Sequence, residues 1–110
     1  MGDNVILTAS DGHQLDAYLA TPAGTPKGAV VVIQEIFGVN PHIREVTDRF
    51  AAAGYLAIAP ALFDRIGPAI ALAYDADGVA EGRRLKEQAD ANSQDDVKAA
   101  IDLVASAGMV

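Results

Sequence analysis

Near the N-terminus the hydrophobic pattern is that of short strands. Asn4–Ala9 is a β-type run, and Leu15–Ala20, "LDAYLA", puts Leu15, Ala17 and Leu19 on one face. Between them lies "SDGHQ", and Asp11-Gly12 is a hairpin signal, so the two runs are predicted to pair as a β-hairpin. "TPAGTPKG" is dense in Pro, Gly and Thr and reads as a loop. The pattern then changes: Ala29–Ile33, "AVVVI", does not alternate at all. A continuous aliphatic run of this length is expected of a strand buried on both faces of a parallel or mixed sheet.

A helix is predicted from Pro41, with Asn40 as its N-cap and Pro at the first helical position. Ile43, Val46, Phe50 and Ala53 recur at spacings of three and four and define its apolar face, and Gly54 closes it. "YLAIAP" is the next strand, ended by Pro60. Strand, helix and strand in this order predict two parallel strands. The stretch from Ala61 to Asp75 is less regular and reads as loop with room for a short turn. Ala76–Ala91 reads as a helix with Val79, Leu85 and Ala89 inward. Ser93 is then the expected cap of a further helix, with Asp95 and Asp96 in its first turn, a stripe of Val97, Ala100, Ile101, Val104 and Ala105, and Gly108 as its end. Met109-Val110 looks like the start of another strand.

Composition narrows the function. Across 110 residues, 51% are hydrophobic and 21% charged, which suits one globular unit rather than a disordered tail. The net charge of −7 argues against a nucleic-acid partner, since phosphate binding needs clustered Lys and Arg. The densest basic cluster, Arg83-Arg84 with Lys86, is flanked by acids and reads as a solvated helix face. With no cysteine, these residues offer no disulfide, thiolate metal site or thiol nucleophile, which suits a cytoplasmic location. No apolar run approaches the ~18 residues of a membrane helix. The N-terminus lacks a signal-peptide pattern.

The chemistry that stands out is at the end of the aliphatic run, "VVVIQEIFG". A strand that delivers a carboxylate, Glu35, to its own end places it where ligands sit in sheets of this class, but also where chains emerge into water. His13 sits in a turn and His42 in a first helical turn, and surface positions are the plainer account of both. Ser10, Ser93 and Ser106 lack the G-x-S-x-G context of an esterase nucleophile. "GTPKG" is not a phosphate loop.

"VVVIQEIFGVNPHIREVTDRFAAAGYLAIAPALFDR" resembles the dienelactone hydrolase family of the α/β-hydrolase superfamily. The resemblance rests on Gln34-Glu35-Ile36-Phe37-Gly38, Asn40, Arg44-Glu45, "AAGY" and Pro60 with Leu62-Phe63. "SDGHQLDAYLATP" resembles the family's N-terminal hairpin, and "GRRLKEQ" with "DDVKAAIDLV" its helix B. It implies the N-terminal half of an α/β-hydrolase fold over residues 1–110, a partial domain stopping before the nucleophile elbow, since such a unit is about twice this length or more. It further implies a hydrolase of small esters or lactones, of the carboxymethylenebutenolidase type, with a Cys, Asp and His triad and no cofactor or metal. Cysteine, Asp and His of that triad would all come from outside these residues.

By that resemblance Glu35 is the carboxylate that helps form the nucleophilic thiolate, and a carboxylate held at a dry strand end can accept a proton. Ile36 would lend its backbone N–H to the oxyanion hole. Arg83 or Arg84 would hold a substrate carboxylate. A competing expectation is a non-catalytic α/β fragment that dimerises or binds a partner, because an open sheet edge needs covering by self-association or by the missing C-terminal half. A flavodoxin-like binding domain is disfavoured by the lack of a glycine-rich phosphate turn after Ala29–Ile33.

Overall fold

A computed structural model describes residues 2–67 and 70–106. Strands β1 (Asp3–Thr8) and β2 (Gln14–Ala20) form the expected hairpin, with Leu7 opposite Leu15 and Val5 opposite Ala17. Gly12 turns it with φ +87°, a left-handed conformation glycine adopts freely. Strand β3 (Ala29–Val31) and strand β4 (Leu56–Pro60) pair in parallel, Ala29 opposite Leu56 and Val31 opposite Ile58. The hydrogen-bonded ladder of β3 is thus shorter than the aliphatic run. The amide of Val32 still reaches the Ile58 carbonyl at 2.8 Å. The sheet order is β1-β2-β4-β3, with β2 antiparallel to β4.

Burial on both faces falls on β4 rather than β3. All five β4 residues are buried, whereas Ala29, Val30 and Val31 are half-buried. The reason is position: among the described residues β4 lies between two strands, while β3 pairs with β4 alone. Alternate β4 side chains serve opposite layers. Leu56 and Ile58 join Leu7, Leu15, Ala17, Ala100 and Val104 on one side, and Ala59 joins Val32 and Ile43 on the other.

Helix α1 (Pro41–Ala52) is capped as expected: Asn40 accepts the Ile43 amide at 3.0 Å. Gly54 follows its end with φ +103°. Its buried face differs from the expected one. Ile43, Thr47 and Ala51 are buried, Val46 is partly so, and Phe50 is exposed. Thr47 can occupy the core because its hydroxyl is satisfied by the Ile43 carbonyl at 2.8 Å. Asn40 is buried and also donates to the Tyr74 hydroxyl at 2.8 Å. Asn40→Ala is therefore expected to destabilise the natural protein by about 1–2 kcal/mol, read from urea unfolding.

The two expected C-terminal helices are one. Helix α2 runs without interruption over Ala76–Ser106. Ser93 is not a cap; its hydroxyl donates back to the Asp90 carbonyl at 3.1 Å within the helix. Asp95 and Asp96 are mid-helix, and Asp96 is fully buried rather than lying in an exposed first turn. No Gly or Pro stands between Ala91 and Asp96 to stop the helix. Leu85, Ala89, Ala100 and Val104 are buried as expected, but Ile101 and Ala105 are exposed. Gly108 and Met109-Val110 lie outside the described residues. Asp75 caps the start of α2 by accepting the Gly78 amide at 2.7 Å. Leu62–Arg65 forms a short 3-10 turn within the stretch expected to be loop with a short turn.

His13 is half-buried rather than exposed, and its Nε2 is buried with no partner among the described residues. Tyr18 ties hairpin to helix: its hydroxyl accepts the Gly2 amide and donates to Asp48 of α1, both at 2.8 Å, while Arg44 lies 5.8 Å over its ring. Burial, and then the hydrogen bond to Asp48, raises the phenol above its ordinary value of 10.0. The folded state therefore holds this proton more tightly than the unfolded chain. The resulting stability is fully present below about pH 10 and is lost as pH rises through the folded value. Urea midpoints of the natural protein should fall more steeply above pH 10.0 than those of Tyr18→Phe.

Among the described residues no helix is long and apolar enough to cross a membrane.

Candidate active-site cleft

The chain leaves the carboxyl end of β3 and turns over 34–38. Three sets of contacts hold this turn. Gln34 accepts the Leu62 amide through its side-chain oxygen at 2.9 Å and donates its side-chain amide to the Glu35 carbonyl at 3.3 Å. The Gly38 amide also donates to the Glu35 carbonyl, at 3.2 Å. Gly38 has φ +85°, and a Cβ there would lie 2.2 Å from the Ile70 carbonyl oxygen, so only glycine fits. The segment after the 3-10 turn packs back on this loop. Leu72 donates to the Phe37 carbonyl at 2.8 Å, and the Phe37 and Tyr74 rings meet edge-on with centroids 4.5 Å apart.

Helix α2 closes the other side. A Cβ on Gly82 would lie 2.1 Å from the Ile36 carbonyl oxygen, so the helix backbone and the loop backbone touch directly there. Sequence reasoning passed over Gly82. An isolated glycine inside a helical pattern is the signal that could have flagged it.

Between these elements lies a cleft of about 150 Å³, lined by Gln34, Glu35, Ile36, Leu62, Phe63, Lys86, Ala89, Asp90 and Ser93. Glu35 and Ile36 both line it. The Glu35 carboxylate is exposed, so the described residues do not supply the dry setting expected for it. The Ile36 N–H has no partner among the described residues.

Arg83 and Arg84 are both exposed and neither lines the cleft. Arg84 is engaged with Glu81 one turn earlier, which lowers the Glu81 carboxyl and raises the Arg84 guanidinium from their ordinary values. The cation on the cleft wall is Lys86, a residue sequence reasoning read only as solvated surface. It pairs with Asp90 at 2.8 Å, and both side chains are more than half exposed. His42 is exposed and does not line the cleft.

Chemically, the residues lining the cleft bring a carboxylate, the Ile36 backbone, an apolar wall from Leu62, Phe63 and Ala89, and an ammonium. It holds no thiol, since the chain has no cysteine.

Residues 15–110 match the family model described as "Dienelactone hydrolase family". A protein of Synechocystis named "Putative carboxymethylenebutenolidase" is 50% identical over 76 residues, covering 68% of this chain and 31% of that protein. One of Azospirillum brasilense with the same name is 47% identical over 68 residues, covering 61% of this chain and 29% of that protein. A crystal structure of a dienelactone hydrolase of Klebsiella pneumoniae, itself named putative, superposes with a TM-score of 0.63 at 34% identity, over 96% of this chain and 42% of that one. The chain thus spans 31% and 29% of the two curated relatives and 42% of the solved neighbour.

Proposed function

Because this chain belongs to the dienelactone hydrolase family, we propose that it forms the first part of one α/β-hydrolase domain, in a hydrolase that opens small esters or lactones as carboxymethylenebutenolidases do. The observation that supports this reading is the loop after β3, from which Glu35 and Ile36 both line a cleft, with no partner for the Ile36 N–H among the described residues. The sheet order and the single long helix α2 place that loop at the carboxyl end of a parallel strand, where sheets of this kind bind ligands.

In the proposed reaction a nucleophile from the remainder of the fold attacks the ester carbonyl. Glu35 takes up the proton that the nucleophile releases. The carbonyl oxygen gains negative charge as the tetrahedral intermediate forms, and the Ile36 N–H donates to it. The intermediate collapses with cleavage of the C–O bond. The alkoxide takes a proton from the histidine of the triad and becomes the free alcohol of an ester or the hydroxyl end of an opened lactone. Water then cleaves the acyl–nucleophile bond, giving the acid and the regenerated nucleophile. The Asp and His that complete such a triad are likewise supplied by the remainder of the fold. Arg83 and Arg84 stay outside this assignment, since both lie off the cleft wall. Relatives named as hydrolases give the non-catalytic alternative no support. We place the protein in the cytoplasm, where a cysteine-free segment needs no disulfide.

The test is hydrolysis of a small lactone and an activated acetyl ester by the natural polypeptide purified from its own cells. Turnover abolished by an active-site alkylating or acylating reagent supports the reading. Absence of turnover on either substrate class overturns it.

A further inference from the structure

The loop after β3 is held from outside the cleft by the segment 70–74. The backbone contact between them is slight: one antiparallel bridge joins Gly38 and Ala71, and the Leu72 amide donates to the Phe37 carbonyl at 2.8 Å. So short a ladder is weak by itself. The inner side of the segment is anchored, because Ile70 and Leu72 pack on Phe63, Leu85 and Ala89. Its outer end depends on Tyr74. This residue is 61% exposed, yet its hydroxyl accepts the side-chain amide of Asn40 at 2.8 Å and its ring meets Phe37 edge-on. Asn40 is buried, its backbone amide donates to the Gly38 carbonyl at 3.0 Å, and its Oδ1 caps α1. One phenol thus ties together the loop, the start of α1 and the residue just before the Asp75 cap of α2. Tyr74 does not line the cleft.

We propose that Tyr74 is a positioning residue: it clasps the segment 70–74 onto the loop after β3 and thereby fixes the Ile36 backbone for the reaction. This rests on the hydrolase reading above and adds to it a group that acts through other residues. The physical reason is that a backbone donor stabilises an oxyanion only when it is held in place before the charge develops, and small displacements of such groups cost rate. Phe37 follows Ile36 directly, so a clasp on Phe37 and Gly38 limits how far Ile36 can move. Deleting the hydroxyl leaves the buried Asn40 amide without this partner and frees the outer end of the segment.

The experiment uses the natural full-length protein with Tyr74→Phe, which keeps the ring, and Tyr74→Ala, which removes it. Without denaturant, kcat and KM on an activated acetyl ester are measured, beside urea midpoints and native-state exchange of the Leu72 amide, read where it opens locally ahead of the β4 amides. Tyr74→Phe is expected to lower kcat by about three- to tenfold, to leave KM within about twofold, and to speed Leu72 exchange by about three- to tenfold, as suits one lost hydrogen bond. Tyr74→Ala loses the contact with Phe37 as well, and both effects grow.

A purely structural tyrosine would lower the urea midpoint and leave the folded protein's kcat within about twofold of wild type; that result overturns the proposal. So does a rise in KM at unchanged kcat, since Tyr74 would then serve substrate binding. Unchanged Leu72 exchange overturns it too, because the clasp would not depend on the hydroxyl. If the wild type hydrolyses no ester or lactone, the hydrolase reading fails, and Leu72 exchange alone decides whether Tyr74 clasps the loop.

Discussion

Replacing Glu35 with alanine in the natural protein should lower kcat/KM for an activated ester by about a hundredfold while moving the unfolding free energy by no more than about 0.5 kcal/mol. The two halves of this expectation come from different observations. The side chain is exposed, and no side-chain hydrogen bond or ion pair ties it to the described residues, so its removal costs the fold little. Its backbone is a different matter: the Glu35 carbonyl takes hydrogen bonds from Gly38 and from the Gln34 side chain, and alanine keeps both. What alanine deletes is the carboxylate at the cleft mouth. Positioned acid–base groups contribute on the order of 10² to 10⁴ in rate, and the lower end suits a group open to water. Steady-state kinetics paired with urea unfolding checks both halves. Unchanged turnover would make Glu35 a solvent-facing strand-end residue. A loss of stability by several kcal/mol would make it structural.

The second large effect is at Gly82. In an ordinary exposed helix interior, Gly→Ala stabilises by about 0.5–1 kcal/mol, because glycine costs more backbone entropy to order. Here the sign should reverse. A Cβ at Gly82 would lie 2.1 Å from the Ile36 carbonyl oxygen and 3.0 Å from its carbonyl carbon. Those are backbone atoms of a loop already fixed by Gln34, Gly38 and Leu72, so neither partner can step aside through a rotamer change. Gly82→Ala should destabilise by about 2 kcal/mol and Gly82→Val by about 3 kcal/mol or more, as overpacked sites do. Both should also cost turnover, since the displaced atoms belong to Ile36, which lines the cleft. Gly24 is the internal control. Nothing lies within 4 Å of a Cβ built there, so Gly24→Ala should be neutral or slightly stabilising. Thermal unfolding of the three variants side by side separates the steric clash from a general dislike of alanine.

Much of this arrangement was legible before any coordinates. The hairpin follows from two β-type runs about Asp11-Gly12. The α1 start follows from Asn40-Pro41, and Asn40 does accept the Ile43 amide. The motif around Glu35 and Ile36 was readable too, because strand, polar pair and glycine are contiguous in the chain.

Other features were misread for identifiable reasons. Ser93 with Asp95-Asp96 carries the local chemistry of a helix start. The same residues can continue a helix when nothing breaks it, and the serine then bonds back to the Asp90 carbonyl. The α1 face was assigned by apolar spacing, which selected Phe50 and overlooked Thr47. A hydroxyl that satisfies itself on its own helix is as buriable as a methyl, and that is invisible to a hydrophobic pattern.

Sequence alone determined the element order from the hairpin to β4, the hairpin turn, the parallel β3–β4 unit and the place where a carboxylate meets the end of a strand. Those are local properties, set by turn chemistry, capping and periodicity over a few residues. Tertiary structure decided what surrounds that carboxylate. Helix α2 begins 41 residues after Glu35 in the chain, yet it supplies Gly82 against the Ile36 carbonyl and the Lys86–Asp90 pair on the cleft wall. The local pattern already turned Leu85 and Ala89 inward; that they meet Phe63, and so bring Gly82 and Lys86 to the loop, is a long-range packing choice that no local pattern encodes.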